Sequence, residues 1–108
     1  MKAFKREKIE SLLKDLSGDF LQRIFHVSPL VTVTRCELGN NMSTAIVYVS
    51  VFPETEEKHV LLSAKRIRSD LHEYIENHSH MRTVPLLDIA IDKGEKNRQN
   101  IDRLSRIH

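Results

Sequence analysis

Two stretches in the first half of the chain alternate apolar and polar residues with a period of two. They are VTVTRCEL at 31–38 and STAIVYVSVF at 43–52, and GNNM at 39–42 separates them. This period is typical of β-strands, and the short polar break predicts an antiparallel hairpin. Both faces of the second strand are apolar, which favours a central position in the sheet.

Strict alternation divides the first strand into two faces, with Val31, Val33 and Arg35 on one and Thr32, Thr34 and Cys36 on the other. The valine face is predicted to lie against the core, with Arg35 closing it. Cys36 lies in the middle of the strand, where a small buried hydrophobe is favoured over a reactive thiol. Pro53 is expected to end the second strand, because proline lacks the backbone donor that a ladder needs.

Apolar residues before the hairpin recur at spacings of three and four, which predicts one amphipathic helix. They are Ile9, Leu12, Leu13, Leu16, Phe20 and Ile24. Gly18 weakens this helix by about 1 kcal/mol relative to alanine. Ser28-Pro29 should end any helical continuation, since the residue before proline favours extended geometry.

A second helix is predicted from Thr55 to about Asn77, with the Thr55 side chain capping its first turn. Its apolar stripe consists of Val60, Ala64, Ile67, Leu71 and Ile75. Lys65, Arg68 and His72 line up on a neighbouring face at i, i+3 and i+7.

Alternating residues after this helix predict a third, half-exposed strand near Val84 to Ile91. Beyond it, residues 94–108 carry apolar and basic side chains at helical spacing, and we expect a loosely held helix there. The element order is therefore helix, strand, strand, helix, strand. A length of 108 residues predicts a single domain over 1–108.

The charge, the cysteine content and the lack of long apolar runs exclude several classes of protein but do not identify the function. The net charge of +2 and pI near 8.8 are too mild to establish nucleic-acid binding by themselves. A single cysteine allows no internal disulfide and no CxxC motif. The sequence shows no signal-peptide pattern and no apolar run near the ~20 residues that cross a bilayer. We expect a cytoplasmic monomer with no membrane partner.

Enzymatic chemistry finds no support in the motifs. The chain has no GxGxxG, GxxxxGK[ST], HExxH or nucleophile-elbow pattern. We therefore predict a protein that is not an enzyme, with no small-molecule substrate. His78 and His80 form an HxH pair, but no third ligand lies at a suitable spacing, so a solvated loop is favoured over a metal site. No cofactor is predicted.

Basic residues of the second helix are the first functional candidates. Lys65, Arg66 and Arg68 are either a solvated helix face paired with nearby acids or a face that binds backbone phosphates, and the sequence leaves both open. Arg35 and Arg82 could extend such a face. Tyr48 and Phe52 are aromatic groups that could stack on bases, although a position in the core is favoured.

Four stretches resemble the ribosome-binding factor A family in their residues, order and spacing. They are VTVTRCEL at 31–38, MSTAIVYVSVF at 42–52, SAKRIRSDLHEYI at 63–75 and MRTVPLLDIAID at 81–92. The resemblance implies an α/β fold of the KH-like type II arrangement, with a three-stranded sheet covered by helices on one side. The family has an Ala-x-Gly kink between two helices, where this chain has Ala64, Lys65 and Arg66. Without the glycine, one continuous or differently bent helix is expected.

The resemblance further implies binding to the free small ribosomal subunit and its rRNA during late maturation, with support for processing of the rRNA 5′ end and growth in the cold. The RNA-binding candidates are Lys65, Arg68 and Arg82, with Arg35 and Arg66 as further candidates. Which rRNA helix is contacted, and whether an assembly GTPase is a further partner, stay open. The alternative is a KH-like protein-interaction module that does not bind rRNA. A KH module for single strands is disfavoured because no GxxG loop is present.

Overall fold

The structure is a computed structural model that describes residues 2–94, with side chains from residue 5 onward. Its elements are α1 (Lys2–Ile24), β1 (Leu30–Leu38), β2 (Thr44–Phe52), a 3₁₀ turn (Glu54–Glu56), α2 (Glu57–Arg66), α3 (Arg68–Asn77) and β3 (Leu86–Ile91). The predicted order is confirmed, except that two helices replace the second one. The helix expected within 94–108 lies almost wholly outside the described residues.

The sheet has the order β1-β2-β3, so β2 is central as predicted. β1 and β2 pair antiparallel, from Leu30 opposite Phe52 to Leu38 opposite Ala45. β2 and β3 pair parallel, which requires the long crossover through α2 and α3. Pro53 follows directly after the last β2 residue, as expected. None of the described helices is long and apolar enough to cross a membrane.

The hydrophobic core lies between one face of the sheet and the three helices. β2 contributes four core-facing residues at alternate positions, Ala45, Val47, Val49 and Val51. The helices contribute Leu13 and Leu21 from α1, Val60 and Ala64 from α2, and Leu71 and Ile75 from α3. Removal of this apolar surface from water is the main stabilising contribution, at about 25 cal/mol per Å².

A β-bulge in β1 overturns the predicted faces of that strand. Val33 lies opposite Val49 and Arg35 lies opposite Tyr48, so Thr34 is an extra residue on the β1 side. An extra residue reverses the alternation. Cys36 therefore lies on the core side with Val33, while Arg35 is exposed and does not close the valine face. The prediction that Cys36 is buried is confirmed, and burial raises the pKa of its thiol to about 12.

The buried stripe of α1 is narrower than the apolar pattern suggests. Leu13, Ser17 and Leu21 are almost completely buried, at a spacing of four residues. Leu12 and Ile24 remain 38% and 47% exposed, so their predicted places in the core stripe were wrong. The helix packs mainly on β1, and a single strand covers only a narrow face of it.

The second helix of the prediction is interrupted at Ile67, where φ is −107° and ψ is 19°. These angles need no glycine, so the kink forms although Arg66 occupies the glycine position. The Ile67 amide donates to Ala64 O at 3.1 Å, and Arg68 Nε donates to Lys65 O at 3.1 Å. The predicted Thr55 cap was wrong, because no side chain caps α2 and Glu56 is its N-cap residue.

Candidate nucleic-acid interface

Lys65, Arg68 and Asp88 meet where the α2–α3 break lies against β3, and we name this group the β3-edge cluster. Lys65 Nζ lies 3.5 Å and Arg68 Nη1 3.2 Å from the same oxygen, Asp88 Oδ1. The Arg68 guanidinium thus bridges the Lys65 carbonyl, in the last turn of α2, and the carboxylate on β3. Two of the sequence candidates are therefore brought together by the fold.

The carboxylate of Asp88 is stabilised in its charged form. Partial burial works to raise the pKa of Asp88, but the Ile89 amide, Lys65 and Arg68 together hold that pKa below its ordinary value. The Ile89 amide donates to Asp88 Oδ1 at 2.8 Å. Two cations against one anion leave the cluster with a net charge of +1. All three side chains are between 39% and 52% exposed, so a ligand can reach them.

Arg35 lies on β1, on the helix-free face of the sheet. Its guanidinium forms ion pairs with Glu37 and, at 3.5 Å, with Asp92 Oδ2. It also lies over the Tyr48 ring at 3.9 Å from the centroid, a cation–π geometry. The fold therefore gives Arg35 two carboxylate partners and does not join it to the β3-edge cluster.

The core position expected for the aromatic residues of β2 was wrong for Phe52. It is 72% exposed, next to Leu30, its partner in the register, which is 60% exposed. Tyr48 is half-buried beneath Arg35. The alternation already separated these aromatic residues from the Val47–Val51 face. Only the tertiary structure shows that no described helix covers their side.

Arg66 and Arg82 are the two remaining candidates, and both are exposed. Arg66 is at the end of α2. Arg82 belongs to the segment between α3 and β3, where it borders a groove of about 610 Å³ facing the first half of α1. We call this space the α1–loop groove.

The α1–loop groove has an apolar floor, made of Ile9, Leu12, Leu38, Met42, Met81 and Pro85. Its ionisable lining residues are Lys5, His78, His80 and Arg82. This site was not predictable from the sequence, because its walls come from α1, the β1–β2 hairpin and the segment between α3 and β3. The HxH pair was the only local signal. Within residues 2–94, no group of three potential ligands could hold a metal ion.

Comparisons with known proteins identify the family. A family model described as ribosome-binding factor A matches residues 5–105. The chain belongs to the ribosome-binding factor A family. Ribosome-binding factor A of Thermomicrobium roseum is 27% identical over 109 residues, a match that covers 98% of this chain and 84% of that protein.

Solved structures of the family have the same fold. The crystal structure of ribosome-binding factor A from Thermus thermophilus aligns with a TM-score of 0.70 and 25% identity, covering 80% of this chain and 94% of that one. A homology model of the Thermus thermophilus protein, fitted into a cryo-EM map of its complex with the 30S subunit, aligns with a TM-score of 0.69 and 25% identity, covering 80% of this chain and 93% of that one. The predicted KH-like α/β fold with a three-stranded sheet is thus confirmed.

Proposed function

We propose that this ribosome-binding factor A protein binds the free small ribosomal subunit during late maturation, through the phosphates of its rRNA. Support comes from the family and from the Thermus thermophilus relative, a homology model of which was fitted into the cryo-EM map of a 30S complex. In this proposal the protein supports processing of the rRNA 5′ end and growth in the cold. It acts by binding and carries out no chemistry itself.

The convergence of Lys65 and Arg68 on a single oxygen is the observation that carries the proposal. Both cationic groups lie within 3.5 Å of Asp88 Oδ1, so their donors are directed at one anionic position at the molecular surface. A phosphate oxygen arriving beside that position meets a pre-arranged pair of donors. Arg82 is proposed as a third contact, with Arg35 and Arg66 as peripheral ones.

Phosphate contacts make affinity depend on salt. Three full contacts at about −0.7 each would give a slope near −2 when log affinity is plotted against log salt concentration, and the Asp88 carboxylate shared by Lys65 and Arg68 should make that slope shallower. The test is co-sedimentation of the protein with free small subunits, large subunits and complete ribosomes at several salt concentrations. We expect binding to free small subunits alone, weakening as the salt concentration rises, with a slope no steeper than about −2.

Charge reversal tests the face itself. The Lys65→Glu, Arg68→Glu double variant should lose small-subunit binding while its circular dichroism spectrum and melting transition remain cooperative. A folded double variant with unchanged affinity would remove the β3-edge cluster from the proposal.

A protein-interaction module is the second candidate, and the helix-free face of the sheet favours it. Leu30 and Phe52 are exposed at one end of that face, and Leu86 is 70% exposed on β3. An apolar protein interface should weaken little between low and moderate salt, whereas phosphate contacts weaken steeply. A nearly flat salt dependence of subunit binding would support this second candidate.

A further inference from the structure

The His78 ring is held in a fixed orientation at the border of the α1–loop groove. It stacks on Tyr74 with 4.0 Å between centroids and 23° between planes, and Tyr74 packs against Phe20 at 5.3 Å. His78 Nδ1 lies 2.8 Å from Tyr74 O. A carbonyl oxygen only accepts hydrogen bonds, so Nδ1 carries the proton and Nε2 is left for another partner. The ring is pre-organised, and its residue is exposed.

The charges around the groove favour an anion. Lys5 and Arg82 border it as cations, and no carboxylate residue lines it among the described residues. Its floor is nevertheless apolar, and its volume of about 610 Å³ lies within the range of about 300–1,000 Å³ typical of small-ligand sites. The occupant that fits should therefore combine a negative charge with a flat apolar body.

We propose that the α1–loop groove holds one unstacked nucleotide of a single-stranded RNA segment, with its base stacked on His78 and its phosphate between Lys5 and Arg82. Aromatic rings that stack unpaired bases next to cations that contact the backbone are the common means of single-strand recognition. An acidic peptide would satisfy the cations but would leave the held ring unused. The inference rests on the proposed binding to rRNA and adds a second site to it.

The test uses the full chain and 5′-fluorescein-labelled RNA hexamers of adenosine and uridine, with an abasic hexamer of equal charge, followed by fluorescence anisotropy. We expect the base-containing hexamers to bind more tightly than the abasic one. His78→Ala should weaken binding of the adenosine hexamer roughly tenfold, whereas His78→Phe, which keeps an aromatic ring, should retain most of it. His59→Ala removes an exposed histidine from α2 and is the matched control.

Three results would overturn the inference. They are equal affinity for the abasic hexamer, equal losses in His78→Phe and His78→Ala, and displacement of the RNA by an equimolar hexaglutamate peptide. Co-sedimentation with small subunits is measured in parallel. If the wild type binds small subunits but shows no preference for bases, the groove site fails while the proposed function stands. If it binds no small subunits at low salt, the proposed function itself fails.

Discussion

The β3-edge cluster and the border of the α1–loop groove are two basic regions that differ in what neutralises them. In the cluster, Lys65 and Arg68 share the carboxylate of Asp88. At the groove, no carboxylate residue lines the space beside Arg82 within the described part of the chain. Arg35 resembles the cluster, because Glu37 and Asp92 flank it.

This difference implies that basic residues of equal formal charge contribute unequally to the free energy of phosphate binding. A cation that already faces a carboxylate must exchange or share that partner, and the gain from a new contact is reduced accordingly. A cation without such a partner contributes its full counterion release. Counting lysine and arginine residues does not reveal this, and the positions of the acids decide it.

A change at Ser17 alters the stability of the fold without touching either basic region, so it shows whether stability by itself affects small-subunit binding. Ser17 is fully buried in α1, and its Oγ has no hydrogen-bond partner among the described residues. Ser17→Ala removes this unpaired polar atom and should raise the free energy of unfolding by about 1–2 kcal/mol. Thermal melts should show a midpoint higher by roughly 5 °C. A lower midpoint would mean that the hydroxyl has a partner in solution. Affinity for small subunits should stay unchanged.

Neutralising one cation that faces carboxylates and one that does not tests whether such partners reduce the contribution of a cation to binding. Arg82→Gln should weaken small-subunit binding about fivefold at 0.1 M salt, the contribution of one phosphate contact at a slope of −0.7. Arg35→Gln makes the same change in charge, but its effect should stay below about twofold because Glu37 and Asp92 already oppose that cation. Equal losses in the two variants, measured by co-sedimentation, would show that local partners do not matter.

Removing the Asp88 carboxylate should leave the cations of the β3-edge cluster without a carboxylate partner, as at the border of the α1–loop groove. Asp88→Asn releases Lys65 and Arg68 and should strengthen small-subunit binding about threefold, with a steeper salt slope. Glu73→Gln, the same charge change at an exposed position of α3, is the control and should have a smaller effect. Weaker binding by Asp88→Asn would instead mean that the carboxylate orients the two cations for their ligand.

The smallest expected effect is a pH dependence of stability. Because the pKa of Asp88 is lower in the folded protein, its ion pairs stabilise the fold above the unfolded pKa near 3.9, and that contribution is lost as pH falls through the folded pKa. Urea unfolding at pH 6 and pH 3 should show a smaller acid-induced loss for Asp88→Asn than for the wild type. The difference should be slight, since the Asp88 side chain is about half exposed. Identical losses would contradict the pairing.

Several features of the fold were predictable because they depend on local periodicity. The three strands and the central position of β2 follow from alternation and from apolar content on two faces, whereas the burial of Cys36 was expected from its residue type and its place in mid-strand. The break at Ile67 was not predictable from its own residues, because it depends on φ and ψ values that most residues can adopt. Glycine was the expected signal, and this chain forms the break without it.

The pairing of the basic residues depends on contacts distant in the sequence. Arg68 and Asp88 are 20 residues apart, and Thr34 and Asp92 are 58 apart, with Thr34 Oγ1 2.5 Å from Asp92 Oδ2. The bulge at Thr34 turned Arg35 away from the core, which no alternation rule could indicate. The list of candidate cations came from the sequence, while their partners came from the register of β1 and β3.

By itself, the sequence determined the three strands, the central position of β2, the amphipathic helices on either side of the hairpin and the family, because each depends on residue type and spacing along the chain. The tertiary structure alone decided which aromatic residues stay exposed, which cations face carboxylates and where His78 borders a groove. Those properties depend on distances of a few ångströms between segments far apart in the chain, and electrostatic and stacking energies change steeply over such distances.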